Sequence, residues 1–558
     1  MIATAADIIK KAIQECKKNG AIKAEALPDI IIEKPKKDEF GDFATNAAML
    51  LAGKEGKPPR QIAELIAKEM RQSENIKKVE VAGPGFINIF MEDDYWLGFL
   101  KEIHVSGEKF GSSDIGAGKK IQVEFVSANP TGPLHIGHGR GAAFGDALAR
   151  LLKTAGYDVA TEFYVNDAGA QVKNLAESIL LRIKEEAGEK VEFGADHYKG
   201  EYISKLAAVY RGLAKKGVEE SKEEIGRFAL QTILEWIKKD LSDFHVNFDS
   251  WFSEKSLFDS GKVQKLIQEL KGKGFIYEDS GALWFKSTVF GDDKDRVVVR
   301  ENGEPTYFAS DIAYHHDKYE RGFDTLINIW GADHHGYIPR IKSVVQALGH
   351  DRESLKILLV QMVSLSRGGQ PVTMSKRAGE YITLREVLDE VGADACRFFF
   401  LMRKSDAHLE FDLELAKKQA PENPVFYVQY AHARICSIIK HAKTVSSCKL
   451  QVASLNLNLE SCNSKPFLCL SLKEALDIIK KLASFPDVVR GSAAATEPHR
   501  ITFYLQELAG LFHSYYNRNR VVTEDKELTN ARLYLCEAVR IVIHNGLKLL
   551  GVSAPEEM

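Results

Sequence analysis

The stretch that decides the fold reads Glu124-Phe125-Val126-Ser127-Ala128-Asn129-Pro130-Thr131-Gly132-Pro133-Leu134-His135-Ile136-Gly137-His138. It continues an apolar, alternating run that begins at Ile121, and it opens into a helix-like segment. In an α/β sheet such a strand–turn–helix junction binds phosphate, because the helix N-terminus offers free backbone N–H groups and a partial positive charge. Glycine and proline favour a tight turn, and two imidazoles can reach anionic oxygens. The stretch therefore predicts a nucleotide site.

Two separated motifs resemble the two halves of one ATP site. His135-Ile136-Gly137-His138 resembles the HIGH signature of class I aminoacyl-tRNA synthetases, and the flanking residues resemble the arginyl-tRNA synthetase version. A second stretch, Pro371-Val372-Thr373-Met374-Ser375-Lys376-Arg377, resembles the KMSKS loop of the same class. A chance basic turn after a buried strand is the alternative for a single motif, but two motifs in the required order favour the functional interpretation.

Composition bounds the class of protein. The chain has 558 residues, 45% hydrophobic and 27% charged, which suits a globular protein of three or four domains. Charged residues interrupt the N-terminal helical pattern and no apolar run is long enough for a bilayer, so we expect a cytoplasmic protein. Seven cysteines form no Cys-x-x-Cys pair, which argues against a disulfide framework and against a zinc site. The net charge of −3 gives no sign of a nucleic-acid binder.

The hydrophobic pattern predicts four parts along the chain. They are an α+β N-terminal domain, a catalytic domain, connecting helices and a helical bundle, at residues 1–111, 112–385, 386–420 and 421–558. A charge-rich helical insertion at about residues 171–270 interrupts the catalytic sheet. Strand signals resume at Ala282–Phe285 and Val297–Arg300, and a polar loop is expected at Thr444–Ser464.

The resemblance assigns these parts to functions. It implies an α/β fold: a class I Rossmann-type nucleotide-binding catalytic domain with a helical insertion, an α+β N-terminal domain, and an all-α C-terminal anticodon-binding bundle. Asp38–Asn46 resembles the N-terminal domain of arginyl-tRNA synthetases, which touches the tRNA elbow. Tyr427–Arg434 resembles the start of their anticodon-binding domain. Without the resemblance, these two segments indicate only a small folded module and a helical bundle.

The predicted ATP site takes its residues from three segments. The class assigns His135 and His138 to phosphate binding and transition-state stabilisation, and Lys376 to the β- and γ-phosphates, so these three are the predicted catalytic residues. We treat the histidines as hydrogen-bond donors and not as a general acid and base. The remaining ATP-binding residues are predicted to be Pro133, Gly137, Gly139, Gly331, Asp333, Met374 and Ser375.

The second motif departs from its consensus at two positions. Thr373 replaces the first lysine and Arg377 replaces the final serine, so only the central Met-Ser-Lys carries over. Arg377 is either a second cation for the phosphates or a solvated surface residue.

Asp333 is assigned to the ribose because Gly331–Tyr337 resembles the class I segment that holds the adenosine. The neighbouring His334-His335 pair invites a metal interpretation, but adjacent residues point to different sides and no third ligand is close in sequence. No protein-bound metal is therefore expected.

The predicted amino-acid site must bind a guanidinium, a planar cation that calls for carboxylates and a hydroxyl acceptor. Tyr307 and Asp311, four residues apart, match the arginine-binding pattern of the family, and Glu254 matches a further acidic position. Asn129 and Glu124 are expected to orient the amino and carboxylate end of the substrate. Taken alone, Tyr307 and Asp311 are more typical of a packed aromatic residue and an ordinary helix cap, and it is the resemblance that favours the binding role.

The resemblance implies an arginine–tRNA ligase that uses ATP with Mg²⁺, L-arginine and tRNA(Arg), acts without a membrane and is a monomer. A class I ligase for another amino acid is one alternative, and the three predicted guanidinium ligands argue against it. A synthetase-derived RNA-binding protein that has lost catalysis is the other. Intact phosphate-binding side chains at His135, His138 and Lys376 argue against that second alternative.

Overall fold

The computed structural model describes residues 2–24, 30–35, 37–214, 221–372, 382–445, 470 and 472–558. The predicted loop residues Thr373–Arg377 lie outside these ranges, as does the predicted polar loop from residue 446 to residue 464. None of the helices in the described ranges combines the length and the apolar character that a membrane span needs.

An antiparallel sheet with helices on it forms the N-terminal unit. Its elements are α1 Ile2–Lys18, β1 Ile32–Glu33, β2 Phe43–Thr45, α2 Ala47–Glu55, α3 Pro59–Met70, β3 Ile76–Ala82, β4 Phe86–Met91 and α4 Asp93–Ser106. The strand order is β1-β2-β4-β3. Apolar residues at helical spacing, such as Ile9 with Ile13 and Ile62 with Ile66, are buried, which is why these segments form amphipathic helices.

A five-stranded parallel sheet forms the centre of the molecule. The elements of this middle part are β5 Lys120–Glu124, α5 Ile136–Thr154, β6 Asp158–Val165, α6 Ala170–Glu186, α7 Glu201–Ala214, α8 Lys222–Asp243, β7 Ser250–Ser253, α9 Glu254–Asp259, α10 Lys262–Gly272, β8 Ile276–Asp279, β9 Ala282–Phe285, β10 Arg296–Val299, α11 Tyr307–Glu320, β11 Thr325–Gly331, α12 Ile338–Ala347, β12 Leu355–Val360, β13 Val363–Arg367, β14 Gln370–Pro371, α13 Leu384–Val391, α14 Ala393–Leu401, β15 Leu409–Asp412 and α15 Leu413–Lys417. The sheet order is β7-β6-β5-β11-β12, with every pair parallel.

The strand order reverses at β5. The chain runs from β5 outward through β6 to β7, and then returns to the other side of β5 through β11 and β12. A doubly wound parallel sheet binds its ligand in the crevice beside such a reversal, at the carboxyl ends of the strands. The turn after Glu124 lies at this place.

Two predicted strand assignments to the central sheet are wrong. Ala282–Phe285, here β9, pairs with β8 on one side and with the strand predicted at Val297–Arg300, here β10, on the other, in a separate antiparallel sheet. A strand of the central sheet, Ser250–Ser253, instead falls inside the predicted insertion at about 171–270, where it pairs with β6. Strands of four residues carry too little pattern to reveal their partners, because pairing depends on the tertiary context.

Five helices of the described residues form the bundle that follows. They are α16 Pro424–Val445, α17 Lys473–Ala483, α18 Phe485–Ala495, α19 His499–Arg518 and α20 Lys526–Leu550. The sequence pattern predicts four of them and misses α18, whose Gly491 and run of small residues weaken the apolar period. The end of α20 contacts the catalytic part, because Arg397 of α14 donates a hydrogen bond to the Leu550 carbonyl at 2.9 Å.

Candidate active site

The two signature histidines begin helix α5 and cap it. His135 is the N-cap residue, and its Nδ1 accepts a hydrogen bond from the Gly137 backbone N–H at 3.1 Å. The Nδ1 of His138 accepts from the His135 backbone N–H at 3.3 Å. A nitrogen that accepts carries no proton, so each neutral imidazole bears its proton on Nε2. The caps therefore occupy Nδ1 of both rings at the positive end of the helix.

The two imidazoles stack with their centroids 3.6 Å apart. Burial, reinforced by His135, lowers the pKa of His138 to about 3. His138 is therefore neutral at physiological pH. In this state it can donate a hydrogen bond to a phosphate oxygen, but it carries no positive charge.

Glycines in α5 allow close packing around this turn. A Cβ on Gly145 would lie 2.2 Å from the Phe125 ring, so the glycine lets α5 approach the end of β5. A Cβ on Gly139 would lie 2.7 Å from Leu384 Cδ1, which explains this glycine by the packing of α13. The assignment of Gly139 to ATP binding stays a prediction.

The chain that follows the KMSKS-like motif returns to the histidine turn. Thr383 forms an antiparallel bridge with His135, and the Leu384 N–H donates to the Leu134 carbonyl at 2.7 Å. Before the motif, Val372 donates from its N–H to the Leu365 carbonyl of β13 at 2.9 Å. Thr383, six residues after the end of the motif, therefore lies against the signature turn.

A cavity of about 470 Å³ opens at the carboxyl ends of β5, β6 and β11. It is lined by Glu124, Val126, Ser127, Asn129, Tyr164, Asn166, Gln171, Glu254, Tyr307, Ser310, Asp311, Ile329, Trp330, Gly331, His334 and Tyr337. All five residues predicted to bind arginine are among them, although they come from three separate segments of the chain. Three of the lining side chains are carboxylates, which suit a cationic ligand.

Glu254 is held by two neighbours. The Ser310 hydroxyl donates to its Oε1 at 2.7 Å, and the Asn166 amide, turned with its nitrogen toward the carboxylate, donates to Oε2 at 2.9 Å. The side chain is 3% exposed, and burial raises its pKa. A carboxylate with fixed orientation and little water around it suits a bound guanidinium.

Asp311 lies one turn into α11, where it accepts a short hydrogen bond from the Tyr337 hydroxyl. Burial, together with the charges of Glu254 and Glu124, raises the pKa of Asp311 to about 7. Three carboxylates at one cavity repel each other, and a bound cation would relieve that repulsion. Tyr307, the first residue of α11, is 53% exposed at the cavity mouth.

Glu124 ends β5 and is 6% exposed. Its Oε1 accepts from the Ser127 hydroxyl at 2.9 Å, and its Oε2 accepts from Lys318 at 2.5 Å. In the turn after Glu124, Val126 and Ser127 have φ angles of 67° and 40°. This left-handed conformation is rare for a β-branched residue such as Val126. Such strain is typical of functional sites, where it directs side chains toward a ligand.

Three family models match consecutive parts of the chain. They are the arginyl tRNA synthetase N terminal domain at residues 3–91, the tRNA synthetases class I (R) catalytic domain at residues 100–420, and the DALR anticodon binding domain at residues 428–558. The catalytic model alone covers more than half of the chain. The chain belongs to the arginine–tRNA ligase family.

Other members of the arginine–tRNA ligase family match this chain over 99% of its length. The arginine–tRNA ligase of Geobacter sp. (strain M21) is 55% identical over 557 residues, which cover 99% of each chain. That of Syntrophotalea carbinolica is 51% identical over 556 residues, again 99% of each. The structure of Thermus thermophilus arginyl-tRNA synthetase has the same fold, with a TM-score of 0.74 at 22% identity over 100% of both chains.

Sequence reasoning named six of the sixteen residues that line the cavity of this arginine–tRNA ligase family member, and among the ten that it missed are Tyr164, Asn166, Ser310 and Tyr337. Asn166 had a detectable signal, because it follows strand β6 as Asn129 follows β5, and ligands bind at the carboxyl ends of parallel strands. Ser310 was adjacent to the predicted Asp311, but nothing in the sequence linked it to Glu254.

The predicted ribose residue lies apart from the cavity lining. The Asp333 side chain is 79% exposed, and its nearest ionic partner is His334 at 3.5 Å. Gly331 lines the cavity, and a Cβ there would lie 2.5 Å from Asp333 Oδ1. Within the described ranges, no group of three or more His, Cys, Asp or Glu side chains could hold a metal ion. Met374, Ser375 and Lys376 lie outside the described residues.

Proposed function

We propose that this chain activates L-arginine with ATP and transfers the arginyl group to the 3′ end of tRNA(Arg). The observation that carries the proposal is the single cavity that unites Glu124, Glu254 and Asp311 at the reversal of a doubly wound sheet. Family membership, established at 55% identity over the full length, supports the same reaction.

The amino-acid end of the proposed site divides into two parts. Glu254, Asp311 and Tyr307 would accept from the guanidinium, whose five N–H donors require several acceptors in a partly dry cavity. Asn129 and Glu124, at the end of β5, would orient the α-amino and carboxylate groups. The substrate carboxylate would then point toward the turn that leads into α5.

The nucleotide end would use the histidine turn. The Nε2–H groups of His135 and His138 would donate to phosphate oxygens, and their charge would come from elsewhere, since neutral imidazoles carry none. Lys376, with Met374 and Ser375 beside it, is our proposed source of that charge. The support is the sequence motif, together with the bridge that brings Thr383 against His135.

In the proposed reaction an arginine carboxylate oxygen attacks the α-phosphorus of ATP, pyrophosphate leaves, and arginyl-adenylate remains. A terminal ribose hydroxyl of tRNA then attacks the acyl carbon, and AMP leaves. The protein would hold the reactants in line and stabilise the negative charge that develops on phosphate oxygens. Mg²⁺ would enter with the ATP phosphates, Pro133 and Gly137 would border the adenosine, and Asp333 would accept from the ribose.

The helical bundle offers a surface for unpaired bases. On α16 and α19, Phe426 stacks on Tyr430, and Tyr430 stacks on His513 with centroids 5.9 Å apart. The Arg434 guanidinium lies 4.7 Å from the Tyr430 ring and 5.1 Å from that of Tyr516. Half-buried aromatic rings beside a cation can stack successive bases of a single strand. We propose this surface for the anticodon loop, and we propose that the enzyme acts as a monomer in the cytoplasm.

Pyrophosphate exchange with each amino acid, with and without tRNA, tests the proposal. We expect exchange with arginine alone among the amino acids, and arginylation when tRNA(Arg) is present. Exchange with a different amino acid would identify another class I ligase. RNA binding without exchange or arginylation would identify a protein that has lost catalysis, and either result would overturn the proposal.

A further inference from the structure

Lys318 is a fully buried lysine directly behind the proposed amino-acid site. It lies on α11, seven residues after Asp311, and its side chain is 0% exposed. Its Nζ lies 2.5 Å from Glu124 Oε2, 3.1 Å from Asn328 Oδ1 and 4.2 Å from the centroid of the Tyr314 ring. Two acceptors and an aromatic face thus surround the ammonium group. Lys318 itself does not line the cavity, but its partner Glu124 does.

The contacts of Lys318 continue to the other side of the site. The Asn328 amide, whose oxygen accepts from Lys318, donates from Nδ2 to His315 Nε2 at 3.1 Å. The other ring nitrogen of His315, Nδ1, donates to the Asp311 backbone carbonyl at 2.8 Å. This arrangement requires a neutral His315 with its proton on Nδ1, and burial lowers the pKa of His315 to about 3. One continuous network therefore joins the Glu124 carboxylate to the backbone of Asp311.

We infer that Lys318 is a positioning residue for the amino-acid substrate, because it holds Glu124 as a fixed carboxylate for the α-ammonium group. The inference rests on the proposed function, in which Glu124 serves the α-amino end of arginine and Asp311 the guanidinium end. It adds a residue that touches no substrate and acts through its partner.

Energetics favour a role beyond stability. Burying a lysine and a glutamate costs more free energy than burying two apolar side chains of the same volume. A buried ion pair is therefore poor evidence for a purely structural purpose. Here the glutamate faces a cavity. Without Lys318, Glu124 would face two further carboxylates, Glu254 and Asp311, with no cation to hold its orientation.

The other cationic side chains around this network contact groups other than Glu124. Arg321 makes two hydrogen bonds to Glu162 of β6, at 2.6 and 3.0 Å. On the side of Asp311, Arg340 lies 4.5 Å from the Tyr337 ring. Lys318 is therefore the cation that contacts Glu124, within the described part of the chain.

The test compares arginine with 5-guanidinopentanoate, which lacks only the α-amino group. In tRNA-containing pyrophosphate exchange, Lys318→Met should raise the KM for arginine about tenfold or more, while the KM for ATP stays within about twofold. The inhibition constant of 5-guanidinopentanoate should change less than about twofold. A general loss of structure would weaken both compounds alike.

Lys262→Met is the matched control. Lys262 also pairs with a buried carboxylate, that of Asp317 on α11, but it is 46% exposed and neither residue lines the cavity. This variant should leave the KM for arginine and the preference over 5-guanidinopentanoate unchanged. If Lys318→Met does not fold, Lys318→Gln removes the same charge with a smaller change of polarity and should lower the same preference.

A double-mutant cycle with Glu124→Gln decides whether the lysine acts through the glutamate. In the Glu124→Gln background, Lys318→Met should change the KM for arginine less than about twofold. An equal effect in both backgrounds, or an unchanged preference for arginine, would overturn the inference. Failure of the proposed function would differ, because Asp311→Asn and Glu254→Gln would then also leave the KM for arginine unchanged.

Discussion

Two buried ion pairs stabilise different parts of this molecule. Glu124–Lys318 lies beside the cavity, and Asp146–Arg397 joins α5 to α14, where Arg397 also bonds to the last helix of the bundle. Both cations are 0% exposed in their side chains. The remaining partners differ: the second pair is enclosed by the carbonyls of Phe244 and Leu550, both bonded to Arg397.

The difference shows how to separate a functional ion pair from a structural one. A carboxylate that retains an open face toward a cavity can receive a ligand, whereas a guanidinium whose donors all contact protein atoms can only hold elements together. Gly551 shows how tightly the second site is closed, because a Cβ there would lie 2.3 Å from Arg397. Burial alone does not distinguish the two pairs, but the identity of the other neighbours does.

The largest effect on stability is expected for Arg397→Met. It leaves Asp146 without its buried partner and two carbonyls without donors, so the free energy of unfolding should fall by about 3–5 kcal/mol in urea denaturation. The KM for arginine should stay unchanged in the folded variant. Arg367→Met is the control, because Arg367 also pairs with two carboxylates, Glu390 and Glu414, but is 48% exposed. It should cost at most about 1 kcal/mol; similar losses for both arginines would contradict the structural role of burial.

A smaller, selective effect is expected for Asp311→Asn. Loss of a charged partner for the guanidinium should raise the KM for arginine by the equivalent of about 2–4 kcal/mol, measured by pyrophosphate exchange. Asp317→Asn is the control on the same helix, because Asp317 is buried, pairs with Lys262 and Arg321, and lies outside the cavity lining. That variant should lose stability and retain its KM. An unchanged KM in Asp311→Asn would remove Asp311 from the site.

The smallest effect is a dependence of arginine binding on pH. Only ionised Asp311 is a charged acceptor, and its pKa is about 7, so the KM should rise as pH falls below about 7, by at most about tenfold per unit. The folded state holds this proton more tightly than the unfolded chain, where aspartate has a pKa of about 3.9. The contribution of Asp311 to folding stability therefore declines as pH rises from about 4 to about 7. KM measured against pH should flatten in Asp311→Asn but not in Asp317→Asn.

The sequence predicted those parts of the fold that depend on local pattern. The strand that begins at Ile121, the helix that follows the turn and the helical bundle follow from periodicity and turn residues, and the structure has them. The place of β7 and of the small antiparallel sheet depends on which strands pair across long separations, and four-residue segments do not encode that.

The candidate site was predictable where a motif carried it. Glu124, Asn129, Glu254, Tyr307 and Asp311 were found by resemblance, and the structure places all five at one cavity. Their supporting residues could not be found in the same way. Lys318, Asn328 and Ser310 act through contacts between segments distant in sequence, and each would be an ordinary helix or strand residue without the fold.

The histidine caps of α5 have a consequence for the ionic-strength dependence of nucleotide affinity. Because Nδ1 of each imidazole accepts a hydrogen bond from a backbone N–H group, the turn presents dipoles and no net charge to the triphosphate. Dissolved ions screen monopoles over long range and hardly affect hydrogen bonds at contact distance. Any steep weakening of ATP affinity with added potassium chloride must therefore originate in cationic side chains other than this pair, and exchanging either histidine for asparagine should leave that slope as it was.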